Sequence, residues 1–397
     1  MRLPRVEDIE SRIPRPEDFE SRARGTALTA RVGMALGIAF SICFLTGIWS
    51  HWQYQTPGWL PLGPNPTQLY RFTQGTHILS GIAAIPLLLV KLWSVFPRLF
   101  IRPPTKPGRE LVIEILERAS IGVLVAAAFF QLSSGLLNIA QWYPWNFSFR
   151  STHYAVAWIS IGAILVHIAV KLPAIRKGLG VPVNAPVDKD DVENDDDDPD
   201  APTRRMVLQG AFVASGLAVL LTAGQTVPFL RKVSVFAVRD GNGPQDLPIN
   251  RTASGAGSAK AAMDPNFVLE IVAKGQTISL SRDQLLAMPQ RTHRLPITCV
   301  EGWSRNAVWT GPSLRDVIAM VGAPADSDVT IRSMQTKGAF GVSVLPANYV
   351  KDHRALLALE LNGETLSLDH GYPCRIIAPN RPGVFQTKWV RRLEVKA

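Results

Sequence analysis

The stretch Thr298–Ser304, which reads TCVEGWS and is followed by VWTG at Val308–Gly311, is the centre of the C-terminal part of this 397-residue chain. A short run typical of a β-strand, Arg294–Thr298, precedes Cys299, and a polar turn containing a tryptophan follows it. A thiol where a strand gives way to a loop is partly accessible and held by rigid backbone, which suits a thiolate that binds a soft metal. The same spacing also fits a small buried hydrophobe, the commonest role of a free cysteine.

Two further stretches accompany the cysteine motif: Leu366–Pro379, LSLDHGYPCRIIAP, and Val384–Val390, VFQTKWV. Together the three resemble the molybdenum site of the sulfite oxidase superfamily, and most closely the bacterial branch that includes the catalytic subunit of the periplasmic methionine-sulfoxide reductase. The resemblance covers about residues 233–397. It implies that Cys299 ligates a molybdenum held by the dithiolene of a molybdopterin, in an α+β domain.

The same resemblance implies which residues contact the cofactor. Arg375 and Lys388 match the arginine and lysine of the related reductase, and His370 stands where that family has an asparagine. The segment around Asn250 and Arg251 corresponds to an N-terminal stretch that wraps the cofactor. Phosphate and pterin edges need cations and amide-like groups from several loops, which is consistent with this scattered set.

Three cysteines in so long a chain argue against a disulfide scaffold. Cys43 falls in an apolar stretch. Cys299 and Cys374 remain able to pair in an oxidising compartment, so a disulfide competes with the metal site at this point.

Residues 27–230 contain five apolar stretches of about 20 residues or more, the length that spans a bilayer. We therefore predict a multi-domain chain in which an all-α transmembrane four-helix bundle and a fifth transmembrane helix precede the molybdopterin domain. The predicted divisions are a cytoplasmic tail, the four-helix membrane domain, an acidic cytoplasmic linker, the fifth span and the extracytoplasmic domain, at residues 1–26, 27–172, 173–205, 206–230 and 231–397.

The net charge of +10 comes from Lys and Arg that flank the apolar stretches, which indicates positive-inside loops rather than a nucleic-acid partner. The lipid bilayer is the predicted partner. The arrangement predicts a multi-pass protein of the cell membrane with its N-terminus in the cytoplasm and its C-terminal domain outside. Arg204 and Arg205, directly before the fifth span, resemble a twin-arginine export signal, although two ordinary positive-inside arginines fit equally well.

Histidines in membrane spans default to a function. His153 and His167 are 14 residues apart, so on one helix they share a face to within about 40° and lie about 21 Å apart. His77 begins the second span at the depth of His153. The four-span block resembles cytochrome b561-like subunits of formate dehydrogenases and nickel hydrogenases, which implies a haem b held by His77 and His153. A second haem on His167 lacks the span-one histidine of that family, so His167 is alternatively structural or in contact with quinone.

In the C-terminal region, 267–272 and 276–280 read as a hairpin, Ser281 caps a short helix and Ser313 begins another. Val233–Arg239 also reads as a strand. The sequence thus predicts a membrane-bound molybdenum oxidoreductase that moves an oxygen atom to or from a small substrate such as sulfite or a sulfoxide, with electrons exchanged with quinone through haem b. The alternatives are a metal-free membrane-tethered binding or assembly module, and a haem conduit whose outer domain docks a partner protein.

Overall fold

The computed structural model describes residues 14–19, 21–101, 108–185, 201–237 and 243–396. The chain divides into two compact units. The helical unit comprises Met1–Leu45 and His77–Leu220, and the sheet unit comprises Thr46–Thr76 and Leu221–Ala397. Most of the acidic run that the sequence assigns to a linker lies outside the described residues.

Five helices, α1 to α5, are long and apolar enough to cross a membrane, which confirms the five predicted apolar helices. They are α1 Thr26–Tyr54, α2 Leu69–Val95, α3 Arg109–Ile139, α4 Phe149–Gly180 and α5 Arg204–Thr222. Helix α4 continues past the predicted end at residue 172, and α5 ends before the predicted residue 230. The predicted domain boundaries and the four-helix bundle remain predictions.

Most of the large apolar side chains of the helical unit face outward. In the most apolar part of α4, only 6% of the residues are buried. The interior is small: Leu28, Val32, Leu87 and Ala211 form one cluster where α1, α2 and α5 meet. A surface this apolar is unusual for a protein in water and ordinary for one in lipid.

The sheet unit is built from three sheets and short helices, which confirms a sheet-containing domain after the apolar helices. A five-stranded sheet has the order β2-β1-β11-β5-β6, a four-stranded sheet the order β3-β4-β8-β9, and β10 pairs with β7. The strands are β1 Val268–Ala273, β2 Gln276–Ser281, β3 Gln290–Thr298, β4 Ser304–Pro312, β5 Asp328–Ser333, β6 Val342–Leu345, β7 Leu356–Ala358, β8 Glu360–Leu361, β9 Glu364–Thr365, β10 Arg375–Ile377 and β11 Val390–Lys396. The short helices are α6 Ala253–Ala256, α7 Ala259–Ala262, α8 Arg282–Ala287, α9 Leu314–Ala319 and α10 Ala347–Val350.

Local sequence signals explain the start of this unit. Strands β1 and β2 form the predicted antiparallel hairpin, which turns at Lys274 and Gly275, both with positive φ. Helix α8 begins with a capping box: the Ser281 hydroxyl accepts a hydrogen bond from the Gln284 amide, and the Gln284 side chain accepts one from the Ser281 amide. Apolar residues of β1, β5 and β11 then pack against α9 in the main core.

The prediction of a strand at Val233–Arg239 is wrong for its described part, since residues 233–237 form turns. The amides of Val233 and Ser234 both donate to the Leu230 carbonyl, and the Ser234 hydroxyl accepts a hydrogen bond from the Gly224 amide at 2.8 Å. The β-branched pattern is therefore overridden by local hydrogen bonds that reverse the chain after α5.

An inserted segment, Thr46–Thr76, belongs to the sheet unit although the sequence assigned it to the membrane domain. It contains the end of α1, the following loop and the start of α2. The Asn348 amide donates to the Leu62 carbonyl at 2.7 Å, and the Tyr70 amide donates to Asn380 Oδ1 at 2.8 Å. These bonds make the segment part of the sheet unit's own structure.

Candidate molybdopterin site

Cys299 lies at the turn of the β3–β4 hairpin, one residue after β3 ends. We define the Cys299 loop as residues 299–303. The Cys299 amide donates to the Trp303 carbonyl and the Gly302 amide donates to the Cys299 carbonyl, each at 3.0 Å. Gly302 has φ of 95°, a conformation that favours glycine. The predicted strand, cysteine and turn are all present.

The expected partial accessibility of Cys299 is wrong, because the residue is only 1% exposed. Ile297 and Trp303 from its own hairpin and Gly383 from a distant segment line the same pocket and enclose the sulfur. Burial raises the pKa of the Cys299 thiol well above its usual range, and the Glu301 carboxylate beside it adds to the rise. A thiol in this setting becomes a thiolate when a bound metal compensates the charge.

A small pocket adjoins the cysteine. It brings together residues that are far apart in the sequence. Its lining consists of Leu247, Pro248, Asn250, Ile297, Cys299, Trp303, His370, Arg375, Gly383 and Lys388. Five of these, Asn250, Cys299, His370, Arg375 and Lys388, are residues that the sequence assigned to the cofactor.

Lys388 is 9% exposed and its ammonium is held by three oxygens. Its Nζ donates to the carbonyl of Arg251 at 2.7 Å, to the carbonyl of Asp369 at 2.9 Å and to Asn250 Oδ1 at 3.0 Å. Burial lowers the pKa of Lys388 to about 7, and the nearby charge of Arg375 contributes in the same direction. A neighbouring anion would restore the charged form.

Arg375 is 2% exposed on β10. Its guanidinium donates to the His370 carbonyl at 2.9 Å and to the Gln386 carbonyl at 3.0 Å, and it lies 4.9 Å from the centre of the Trp309 ring. Its Nε has no hydrogen-bond partner among the described residues. Burial lowers the pKa of Arg375 to about 9.

The remaining predicted residues differ in how they meet the pocket. His370 is 2% exposed and its Nε2 lies 2.8 Å from the Pro244 carbonyl, so Nε2 carries the proton in this contact. Burial, followed by the charge of Arg375, lowers the pKa of His370 to about 4, which leaves the ring neutral. Arg251 offers only its carbonyl to Lys388. Its exposed side chain instead donates to the Gly255 carbonyl at 2.9 Å.

The donor set fits a molybdopterin. Two buried cations face one pocket, and among the described residues no carboxylate oxygen lies within 4 Å of either cationic group. Asp369 and Glu301 favour the charged form of Lys388, but burial outweighs them, and an anionic cofactor would supply a further counter-charge. Cys299 adds a soft ligand at the same place, and Asn250 adds an amide.

Cys299 and Cys374 do not form the disulfide that the sequence left open, since both thiols are free. Cys374 belongs to the main core with β1, β5 and β11, whereas Cys299 packs in a separate cluster with Trp303 and Trp309. The two buried cysteines therefore serve different parts of the unit.

Sequence reasoning missed Gly383. A Cβ on this residue would lie 3.0 Å from the Thr298 carbonyl oxygen and 3.6 Å from the Cys299 Cα, so the segment after β10 approaches the cysteine through a glycine. The bridge between Thr298 and Pro382 marks the same close approach. The sequence signal that could have identified this segment is the Pro-Gly pair at 382–383, which marks a turn inside a strand-rich region.

In the helical unit, the structure brings His77 and His153 together. Their ring centres are 6.2 Å apart. His77 Nδ1 lies 2.8 Å from the Cys43 carbonyl, and His153 Nδ1 lies 3.1 Å from the Ser134 hydroxyl. Gly75 belongs to the inserted segment of the sheet unit, and a Cβ there would lie 2.6 Å from the Thr226 methyl carbon of the same unit.

Comparison with known proteins supports the site. Residues 257–397 match the family model described as the oxidoreductase molybdopterin binding domain. The mitochondrial sulfite oxidase of Mus musculus is 30% identical over 165 residues, which cover 34% of this chain and 30% of that protein. The uncharacterized oxidoreductase YuiH of Bacillus subtilis is 29% identical over 116 residues, covering 29% of this chain and 57% of that protein.

A solved structure of the sulfane dehydrogenase SoxCD from Paracoccus pantotrophus is also similar, at 24% identity and a TM-score of 0.29, over 33% of this chain and 38% of that chain. The assignment rests on the sequence matches and on the site geometry rather than on this low overall score. The chain spans less than a third of the mouse enzyme it matches. The sheet unit carries, over residues 257–397, a molybdopterin-binding domain of the oxidoreductase class.

Proposed function

We propose that this protein is a membrane-bound molybdenum oxidoreductase that transfers an oxygen atom to or from a small substrate, such as sulfite or a sulfoxide, and exchanges electrons with quinone through a haem b in its helical unit. The observation that carries the proposal is the convergence of Cys299, Arg375 and Lys388 on one pocket of a molybdopterin-binding domain. When bound, the molybdenum cofactor supplies the oxygen-transfer and electron-transfer chemistry.

The chain's own residues bind and orient that cofactor. Cys299 supplies the thiolate ligand from a rigid hairpin turn. Arg375 and Lys388 supply positive charge for the phosphate and the pterin edges, from positions where burial makes each contact strong. Asn250 and His370 complete the wall with polar groups, and Trp303 keeps water from the sulfur.

The first experiment compares Cys299→Ser with Cys374→Ser in the detergent-purified full chain. Both changes replace a fully buried thiol, but only Cys299 faces the pocket. We expect Cys299→Ser to alter the paramagnetic resonance spectrum of reduced molybdenum and to lower turnover by on the order of 100-fold, while Cys374→Ser keeps both. Equal behaviour of the two variants would favour the metal-free binding or assembly module.

The geometry around His77 and His153 supports the proposed haem. The two imidazoles would hold the haem iron, and the haem would supply one-electron transfer. The ring centres of His77 and His153 are 6.2 Å apart, and each Nδ1 lies within hydrogen-bond distance of an oxygen. Such second hydrogen bonds are typical of histidine ligands.

The surroundings of His167 argue against a second haem. Lys91 and Lys171 are both close enough to influence this histidine electrostatically, and Lys171 pairs with Glu117. Lys91 donates to the Thr29 carbonyl of α1 at 2.9 Å, in the region where the related cytochromes place a span-one histidine. We propose one haem, with His167 in a structural or quinone-contacting role.

Reduced-minus-oxidised absorbance spectra test the haem. We expect His77→Ala and His153→Ala each to lose the reduced haem band, because each removes an imidazole that would hold the haem iron, while His167→Ala keeps it. A band of unchanged size in the first two variants would make the helical unit an anchor without haem.

The proposal also includes the orientation of the chain in the membrane. The cationic flanks of the apolar helices support a cytoplasmic N-terminus and a sheet unit outside the cytoplasm. Arg204 and Arg205, the first two residues of α5, fit export of a folded, cofactor-loaded domain. Accessibility of single introduced cysteines to an impermeant reagent in intact cells tests this orientation.

A further inference from the structure

The Cys299 loop leaves two of its carbonyls to outside donors. Its internal hydrogen bonds use the Cys299 and Trp303 carbonyls. The carbonyls of Val300 and Gly302 instead accept hydrogen bonds from residues far away in the sequence. Both acceptors lie within three residues after the cysteine, so the two bonds tie the loop to segments outside its hairpin.

Thr226 makes the shorter of the two contacts. Its hydroxyl donates to the Gly302 carbonyl at 2.7 Å, and the residue is 7% exposed. Its methyl group packs directly on Gly75 of the inserted segment, where any larger side chain would collide with it. The threonine is therefore fixed on one side by packing and on the other by the hydrogen bond.

Gln74, the residue directly before Gly75 on α2, makes the second contact. Its Nε2 donates to the Val300 carbonyl at 3.4 Å, and the Ser50 hydroxyl donates to its Oε1 at 2.9 Å. The serine bond orients the amide so that its NH₂ group faces the loop. Gln74 is 4% exposed, so water does not compete for either bond.

A third connection joins the same regions. Arg305, two residues after the loop, donates from Nη1 to the Gln225 carbonyl at 2.9 Å. Gln225, Thr226, Gln74 and Ser50 all lie outside residues 257–397, the part that matches the molybdopterin-binding family. The contacts that support the Cys299 loop thus come from segments outside the part that matches this family.

We propose that Thr226 and Gln74 are positioning residues of the molybdenum site, which hold the Cys299 loop through the carbonyls of Gly302 and Val300 and so set the geometry of the cysteine ligand. This inference rests on the proposed role of Cys299 as the molybdenum ligand. Outer partners that orient a metal ligand typically change affinity or activity about 10–100-fold when removed.

The test uses the detergent-purified full chain and near-isosteric variants. Thr226→Val removes the hydroxyl and keeps the shape, whereas Thr226→Ser keeps the hydroxyl. Thr292→Val is the matched control, because Thr292 lies on the same hairpin and its hydroxyl bonds only with Thr310, at 2.9 Å, among the described residues. Molybdenum content, the paramagnetic resonance spectrum of reduced molybdenum, and turnover of sulfite with ferricyanide or of a sulfoxide with reduced viologen are measured for each.

We expect Thr226→Val to keep its molybdenum but to show a shifted resonance spectrum and turnover lowered about 10–100-fold, with Thr226→Ser close to the parent protein and Thr292→Val unchanged. Gln74→Leu should shift the spectrum in the same way. It replaces Thr226→Val in the test if that variant does not fold. If Thr226→Val and Gln74→Leu both showed the spectrum and turnover of Thr292→Val, the positioning role would be overturned while the proposed function would stand. A parent protein without molybdenum would overturn the proposed function as well.

Discussion

The two units of this chain differ in what they expose and what they bury. The helical unit leaves large apolar residues such as Leu165 exposed, at 61%, while the sheet unit buries the charged Arg375 to 2% exposure. An exposed leucine is favoured in lipid, and a buried guanidinium is favoured beside an anion. The difference is consistent with the proposal that the helical unit lies in a bilayer and that the sheet unit binds an anionic cofactor.

The largest expected effect comes from the buried cation. Replacing Arg375 with Met removes the counter-charge for the cofactor, so we expect molybdenum content to fall about 10–100-fold. Arg332→Met is the control, because that side chain is 41% exposed and pairs with Glu394 at 2.7 Å on the sheet surface. The molybdenum content per chain is measured for both variants. Equal content in the two would mean that Arg375 does not hold the cofactor.

A cavity in the core of the sheet unit should lower the free energy of unfolding far more than a truncated side chain on the surface of the helical unit. Leu393 is fully buried on β11, so Leu393→Ala should lower the free energy of unfolding by about 2–5 kcal/mol. Ile159 is 53% exposed on α4, and Ile159→Ala should change it by less than about 0.5 kcal/mol. Thermal unfolding in detergent compares them, and similar losses would contradict the lipid-facing assignment of Ile159.

An introduced charge should distinguish lipid from water at two exposed positions, Leu165 at 61% and Val342 at 48% exposure. Leu165→Asp, near the middle of α4, should cost about 2.5–3.5 kcal/mol of insertion free energy if the helix spans a bilayer. Val342→Asp, 48% exposed on β6, should cost less than about 1 kcal/mol. Membrane-fraction yield of the two variants measures this contrast. If Leu165→Asp matched Val342→Asp, α4 would face water.

The smallest expected effect is a pH dependence within the sheet unit. Burial raises the pKa of Asp352, but hydrogen bonds and charge from Arg354 outweigh it and hold the pKa of that carboxyl below its usual range. A lowered folded pKa means that the ion pair stabilises the unit above the unfolded value of about 3.9 and that this stability is lost as pH falls through the folded value.

Asp352→Asn should therefore reduce the loss of melting temperature on acidification below about pH 5. Arg354 also donates to Thr67 and Asn65 of the inserted segment at 2.8 Å, so the ion pair orients that contact as well. Melting curves at several pH values compare the variant with the parent, and an identical acid dependence would exclude the Asp352 ion pair as its cause.

Much of the site could be predicted because its signals are local. The strand before Cys299, the capping box at Ser281 and the spacing of Arg375 and Lys388 can each be read from a few neighbouring residues. That Arg375, Lys388 and Asn250 meet at one site was predicted from the resemblance to the sulfite oxidase superfamily. The burial of Cys299 could not be foreseen, because Gly383 and the 247–250 segment that help enclose it are distant in the chain.

The role of the inserted segment could not be predicted for a related reason. Apolar length indicates that α1 and α2 are membrane helices, but it does not show what their ends contact. The polar ends of these helices, including Tyr70 and Gln74, instead bond to Asn380 and Val300 within the sheet unit. Likewise, the β-branched run at 233–237 gave no sign of the turns that local hydrogen bonds impose.

We propose that this one chain carries both a molybdenum site, in the sheet unit, and a haem, in the helical unit. The most direct test is elemental analysis of the purified, detergent-solubilised protein for molybdenum and iron. We predict about one molybdenum and about one iron per chain. A folded, membrane-inserted sample that contains neither metal would contradict the claim, and molybdenum without iron would contradict the haem.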